Sequence, residues 1–170
     1  FHLGKMDEAQ TLLETLIDSH PLLIPAYDLL ARVHEAGGRI DLAQEVLSMA
    51  VRQSPRGLTR HMELGRVATQ ANQLAVAEHA YRKSIALGEH SCQASPDSYL
   101  RLANVQRMQM VDGTDKEKQI KLTEIERLLT QVQRRYSKLP EIRIQSQLLM
   151  SKIHEDAGDE EKAAACLDQA

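Results

Sequence analysis

Two stretches, GKMDEAQTLLETLIDSHP (4–21) and GRIDLAQEVLSMAVRQSP (38–55), follow one template at a spacing of 34 residues. Ala9, Ala43 and Ala77 keep that step, as do Leu13, Leu47 and Tyr81; Leu16, Ala50 and Ser84; and Gly4, Gly38 and Asn72. Pro21 and Pro55 share it, and in the neighbouring segment Leu30 matches Leu64 and Ala31 matches Gly65. So many columns at one period mark an internal repeat, and a period of this length marks stacked supersecondary units. Each column has a physical cause. Gly and Asn tolerate the left-handed backbone with which a helix stops, so Gly4, Gly38 and Asn72 are expected at turns. The alanines are small where two helices cross closely. A large apolar residue four positions on, then a small or apolar one three further, completes one helical face. The prolines end the second helix of the unit.

Outward from these stretches, the spacing predicts nine helices, at about 6–19, 25–36, 41–53, 58–70, 73–87, 96–110, 115–136, 140–156 and 159–170. No stretch shows the sustained β-branched alternation of a strand.

The pattern resembles the tetratricopeptide repeat (TPR), W-x2-L-G-x2-Y then A-x3-F then P. Tyr27, Leu30, Ala31, His34, Ala43, Leu47 and Pro55 fill those places in one unit. His61, Leu64, Gly65, Ala68, Ala77 and Tyr81 fill them in the next, with Glu89 replacing the proline. The aromatic places are mostly aliphatic. The resemblance covers nearly the whole chain and implies an all-α, right-handed α-solenoid of helical hairpins. It divides the chain into a half unit 1–22, units 23–56, 57–94 and 95–142, and a partial unit 143–170, all in one domain.

The third unit departs from the rule. SCQASP (91–96) lengthens the connection by four residues, so Tyr99, Leu102 and Ala103 resume the pattern late. DGTDKEK (112–118) then opens a helix running to Tyr136, about thirteen residues beyond a standard unit when counted back from Pro140. Ile120, Ile125, Leu128, Leu129 and Val132 keep helical spacing along it. This helix is expected to protrude, as a decoration or a dimer contact. Met150, His154, Gly158, Ala163 and Leu167 resume the pattern in the fourth unit. Both ends fall inside a repeat, so the chain reads as a fragment of a longer protein. A homodimer through the open ends or through helix 115–136 is a further expectation.

Composition excludes several classes. Of 170 residues, 42% are hydrophobic and 26% charged, as in ordinary globular proteins, but only 3% are aromatic, with no Trp and one Phe. A core of Leu, Ala, Ile, Val and Met must come from closely packed helices. The net charge is −3, which steers the chain towards neither nucleic acid nor an anionic membrane. No apolar run approaches the roughly 20 residues of a membrane span, and no signal peptide opens the chain. Cys92 and Cys166 are far apart without CxxC spacing and read as free thiols in a reducing, cytoplasmic setting.

Seven histidines raise the question of metal or catalysis. His34 and His154 share one repeat place and His61 takes an aromatic one, so packing explains all three. His2, His20, His79 and His90 lack HxxxH or HExxH partners, and His90-Ser91-Cys92 is too small a set for zinc. No GxSxG, phosphate loop or paired-carboxylate motif is present. The reading is therefore no enzyme, no metal and no cofactor. Arg52, Arg56, Arg60 and Arg66, and Arg134-Arg135, read as solvated faces and helix C-terminal charges.

In TPR proteins the first helix of each pair lines a concave groove for partners. Carried over by alignment, Arg32, Arg66, Asn104 and Lys152 share one place. Glu35, Thr69, Arg107 and Glu155 share the next turn, and Asp28, Met62, Leu100 and Leu148 the turn before. The expected partner-binding residues are thus Arg32, Glu35, Met62, Arg66, Leu100, Asn104, Arg107, Leu148 and Lys152. Their surface is polar to basic with an apolar shoulder, suited to an acidic or mixed segment. The chaperone carboxylate clamp of some TPR domains is absent: Asp28 and Arg32 replace its Lys and Asn, and Glu63 replaces the next Asn.

Two stretches, SPRGLTRHMELGRVA (54–68) and LGEHSCQASPDSYLRLANV (87–105), also resemble the C-terminal repeats of bacterial response-regulator-like proteins. In those proteins a phospho-receiver domain precedes the TPR region. That resemblance implies the output or docking module of a two-component signalling protein. The alternatives are an assembly factor for a pilus or secretion system, or a helical-repeat sensor of a small peptide.

Overall fold

The computed structural model describes residues 2–89, 91, 94–111 and 113–168, with the backbone alone for residues 2 and 3. His90, Cys92 and Gln93, which include two residues of the SCQASP expansion and one of the two expected thiols, lie outside the described residues. Among these residues are nine α-helices and no strand. They are α1 (His2–Ser19), α2 (Ile24–Ala36), α3 (Ile40–Gln53), α4 (Leu58–Gln70), α5 (Leu74–Glu89), α6 (Pro96–Gln109), α7 (Asp115–Arg135), α8 (Pro140–Asp156) and α9 (Glu160–Asp168). The chain packs as two compact units, 1–87 and 88–170.

In the first unit, α1 packs on α2, α2 on α3 and α3 on α4. The repeat columns are its core: Ala43, Leu47 and Ala50 of α3 are buried, with Tyr27, Leu30 and Ala31 of α2. Two of the expected turns have one construction. Gly38 has φ +72° and Asn72 φ +57°, and the residue after each donates back to the first helix, Arg39 to His34 O and Gln73 to Ala68 O, both at 2.8 Å. Gly158 repeats this at φ +78°, with Asp159 donating to His154 O at 2.9 Å. Left-handed residues closed by such a bond satisfy the free carbonyls of a helix end. Gly4 does not follow its column, because it lies inside α1, which begins four residues before the expected start at 6. No neighbour comes within 4 Å of a Cβ built there, so no close approach requires the glycine.

A second device repeats at the start of the first helices. The Tyr27 hydroxyl donates to Pro21 O at 3.0 Å, and His61 Nε2 donates to Pro55 O at 3.0 Å. The ring thus fastens the carbonyl of the proline that ends the preceding helix. Histidine can replace the aromatic because its Nε2–H is also a ring donor and bonds the equivalent proline carbonyl at the same distance.

In the second unit α6 packs on α7 and α8, α7 on α8, and α8 on α9. Tyr99, Leu102, Ala103, Ile125, Leu129, Val132 and Ile153 form its interior. Pro96 and Pro140 occupy the first position of α6 and α8, where a missing N–H costs nothing. Thr114 and Glu117 form a reciprocal capping box that starts α7.

The structure corrects the expected helix 115–136 in two respects. It does not simply protrude: Leu122, Ile125, Leu129 and Val132 are buried against its neighbours, whereas Ile120 is 60% exposed. Nor does it hold the whole insertion. From Gln106 to His154 is 48 residues, against 34 from His34 to Ala68. The excess is shared between α7, with 21 residues to the 14 of α3, and α8, with 17 to the 13 of α2. The remainder lengthens the end of α6 and the turn that follows it.

Candidate functional site

The expected ladder residues lie on the first helices α2, α4, α6 and α8 and divide between the two units. In the first unit, α2 carries Asp28, Arg32 and Glu35, and α4 carries Met62, Arg66 and Thr69. Arg66 sits at the centre of a network. Its Nη2 donates to Glu35 Oε1 on the preceding first helix at 2.8 Å, its Nε to Glu63 Oε2 at 2.8 Å, and its Nη1 to Gln70 Oε1 at 3.3 Å. The hydrogen bond to Glu35 is the main reason its pKa rises above the ordinary arginine value, with Glu63 adding to it against the effect of burial. About two turns earlier, Arg60 Nε lies 3.8 Å from Asp28 Oδ1. The α2 and α4 faces are therefore joined by two cross-helix ion pairs.

The second unit reverses the signs. Arg107 Nη1 on α6 donates to Asp156 Oδ2 on α8 at 2.5 Å, while its Nε donates to Asn104 Oδ1 at 3.3 Å. Leu100 is half-buried, Leu148 is exposed and Lys152 is exposed. Like Glu35 and Arg66, Arg107 and Asp156 tie successive first helices.

This modifies the charge expected from the sequence. Arg66 and Arg107 are held by carboxylates, so the surface is mixed, not basic. Arg32 and Lys152 are exposed and form no ion pair among the described residues. Sequence reading missed Glu63 and Asp156 as members. It also missed Leu29, which is 50% exposed beside Asp28. The signals were present: Glu63 stands three residues before Arg66 on a helix, a spacing that favours pairing. The basic stretch resolves similarly, since Arg52 Nε donates to Ser48 O in the last turn of α3.

The buried histidines sit where packing places them. His34, His61 and His154 are 3, 5 and 4% exposed. His154 Nε2 lies 3.7 Å from Glu126 Oε1. Cys166 is a free, half-buried thiol, and burial raises its pKa. Among the described residues no group of three His, Cys, Asp or Glu could hold a metal ion, and no helix is long and apolar enough to cross a membrane.

Helical hairpins with left-handed turn residues, Ala and Gly at the crossings, and first helices linked through a charged ladder define an all-α TPR solenoid fold. Solved TPR structures share it. The crystal structure of MamA matches at TM-score 0.71 and 16% identity, over 98% of this chain and 86% of that one. The TPR-like repeats of a putative kinesin light chain from Podosopora anserina match at TM-score 0.70 and 21% identity, over 98% and 85%. YrrB, described as a TPR protein with an unusual peptide-binding site, matches at TM-score 0.53 and 12% identity, over 92% and 89%. No protein-family model and no curated protein matches the sequence.

Proposed function

We propose that the chain is a non-enzymatic protein-interaction module that binds a partner protein or peptide along the first-helix ladder. The observation that carries this reading is the Glu35–Arg66 and Arg107–Asp156 pairing. Each pair orders the face of its own unit, leaving Leu29 and Arg32 exposed in the first and Leu148 and Lys152 in the second. An ordered mixed face with exposed aliphatic groups suits a segment of acidic or mixed character, neither nucleic acid nor membrane. The similarity to YrrB, whose description names a peptide-binding site, supports a peptide ligand.

The test is selection of peptides from a display library on the wild-type protein. Their affinities are then compared with Arg32→Glu, Leu148→Asp and Lys152→Glu. These exposed positions leave the internal ion pairs intact. Weakening of about tenfold by at least one of them is expected; selected peptides that bind all three variants as well as wild type would remove the ladder from the proposal.

The resemblance of 54–68 and 87–105 to receiver–TPR proteins favours a finer reading. On it, the module is the cytoplasmic output or docking part of a bacterial two-component signalling protein. The gene sequence upstream of Phe1 decides this. A receiver domain with its phospho-acceptor aspartate supports it, whereas a lipoprotein signal supports an assembly factor for a pilus or secretion system. Light scattering across concentration tests the homodimer.

A further inference from the structure

The second unit contains a cleft beside the turn from α6 to α7. The turn from α6 to α7 takes five residues, 110–114, where α2 and α3 are joined by three, 37–39. Met110 and Val111 after α6, the start of α7 and the end of α8 line a cleft of about 570 Å³, within the range of ligand sites. Met110 and Leu122 supply nearly buried apolar surface, and Val111 is 73% exposed. Arg107, Asp115, Lys118 and Asp156 supply the charges.

Those charges are not equivalent. Asp156 is already held by Arg107 Nη1. Asp115 lies in the first turn of α7, where the helix dipole offsets a negative charge. Lys118 is half-buried and meets no carboxylate among the described residues, and Nη2 of Arg107 donates to none of them. Among the described residues Lys118 thus stands without a carboxylate partner, and Arg107 keeps Nη2 available beyond its pair with Asp156, both beside aliphatic surface. We propose that this cleft binds a short segment of a partner protein in which a carboxylate neighbours an aliphatic side chain. The carboxylate meets Lys118 and Arg107, and the aliphatic group packs on Met110, Val111 and Leu122. The inference rests on the chain being a protein-interaction module, but it adds a second contact area, outside the ladder's apolar shoulder.

The experiment is a titration of the ¹⁵N-labelled protein with the acetylated, amidated peptide Gly-Leu-Glu-Leu-Gly and its Gln counterpart. Amide shifts report where each binds. The Glu peptide is expected to shift residues around Val111, Lys118 and Leu122 and to bind about tenfold more tightly than the Gln peptide, as a charge-assisted bond allows. Lys118→Glu and Val111→Asp, both on accessible surface, are expected to weaken it similarly while Arg32→Glu does not. Equal affinity for the two peptides, or insensitivity to both cleft variants, overturns the proposal. Shifts confined to the ladder around Arg32, Met62, Leu148 and Lys152 also overturn it while upholding the broader function. Self-association that alters the cleft amides without peptide makes a second copy the occupant, and equally overturns it.

Discussion

Arg66 and Glu35 meet at 2.8 Å across successive first helices, 31 residues apart in sequence. Both are less than a third exposed, so the pair is shielded better than an ordinary surface ion pair. In a stack of repeats stability is a sum of unit and nearest-neighbour contributions, and this bond belongs to the neighbour contribution. A double-mutant cycle with Glu35→Gln and Arg66→Met should give a coupling energy of about 1 kcal/mol by denaturant unfolding. Glu35→Gln alone should cost more than the exposed-face Arg32→Gln. A coupling energy near zero would show that the bond is incidental to how the repeats adhere.

Gly65 marks a tight crossing in the first unit. A Cβ built there would lie 2.7 Å from Cε1 and Cζ of Tyr81, a ring that is 1% exposed. The preceding hairpin solves the same crossing with Ala31 and Leu47, trading a methyl on one helix for a smaller side chain on the other. Gly65→Ala should therefore destabilise by about 1–3 kcal/mol through overpacking, despite the better helix propensity of alanine. Adding Tyr81→Leu should recover part of the loss. Stabilisation by the single variant, read as a raised denaturation midpoint, would show that α5 yields freely at this contact.

The bonds from Tyr27 to Pro21 O and from His61 to Pro55 O are equivalent and can be removed separately. Tyr27→Phe keeps the ring and deletes one partly buried hydrogen bond, at an expected cost of about 1 kcal/mol. His61→Gln retains a donor of different reach and should preserve less of its bond than the native imidazole. Comparing the two by thermal unfolding distinguishes the hydrogen bond from ring packing. A Tyr27→Phe protein as stable as wild type would assign the whole effect to packing.

These positions show what was legible in the sequence. Ala43, Leu47, Ala50 and Ala77 were readable because a fixed period forces the same side chain into the same contact. Gly38, Asn72 and Gly158 were readable because few residues accept a positive φ. The ladder positions were readable by alignment, but their electrostatic state was not. Whether Arg66 offers its charge to a partner depends on rotamers that bring Glu35 and Glu63 to it, which periodicity does not encode. The third unit was the hardest, since its extra residues are distributed over α7, α8 and one turn. Apolar spacing alone does not separate the exposed Ile120 from the buried Leu122.

His34 links the core to pH. It is buried beside α1, and burial is the main reason its pKa lies below the ordinary 6.5, with the positive charge of Arg39 acting the same way and Glu14 opposing. The fold therefore favours the neutral ring, and in the window below 6.5 the unfolded chain binds more protons than the folded one. Stability must then be complete above that ordinary value and fall as pH drops towards the lowered one. Its Nδ1 is buried without a hydrogen-bond partner among the described residues, so an apolar ring of similar size loses little at neutral pH. His34→Phe should match wild type there to within about 1 kcal/mol and unfold with a flatter dependence on pH below 6.5. The difference between the two unfolding curves isolates this ring from the other titrating groups. Parallel acid limbs in the two proteins would mean that His34 is protonated in the fold as readily as in the unfolded chain.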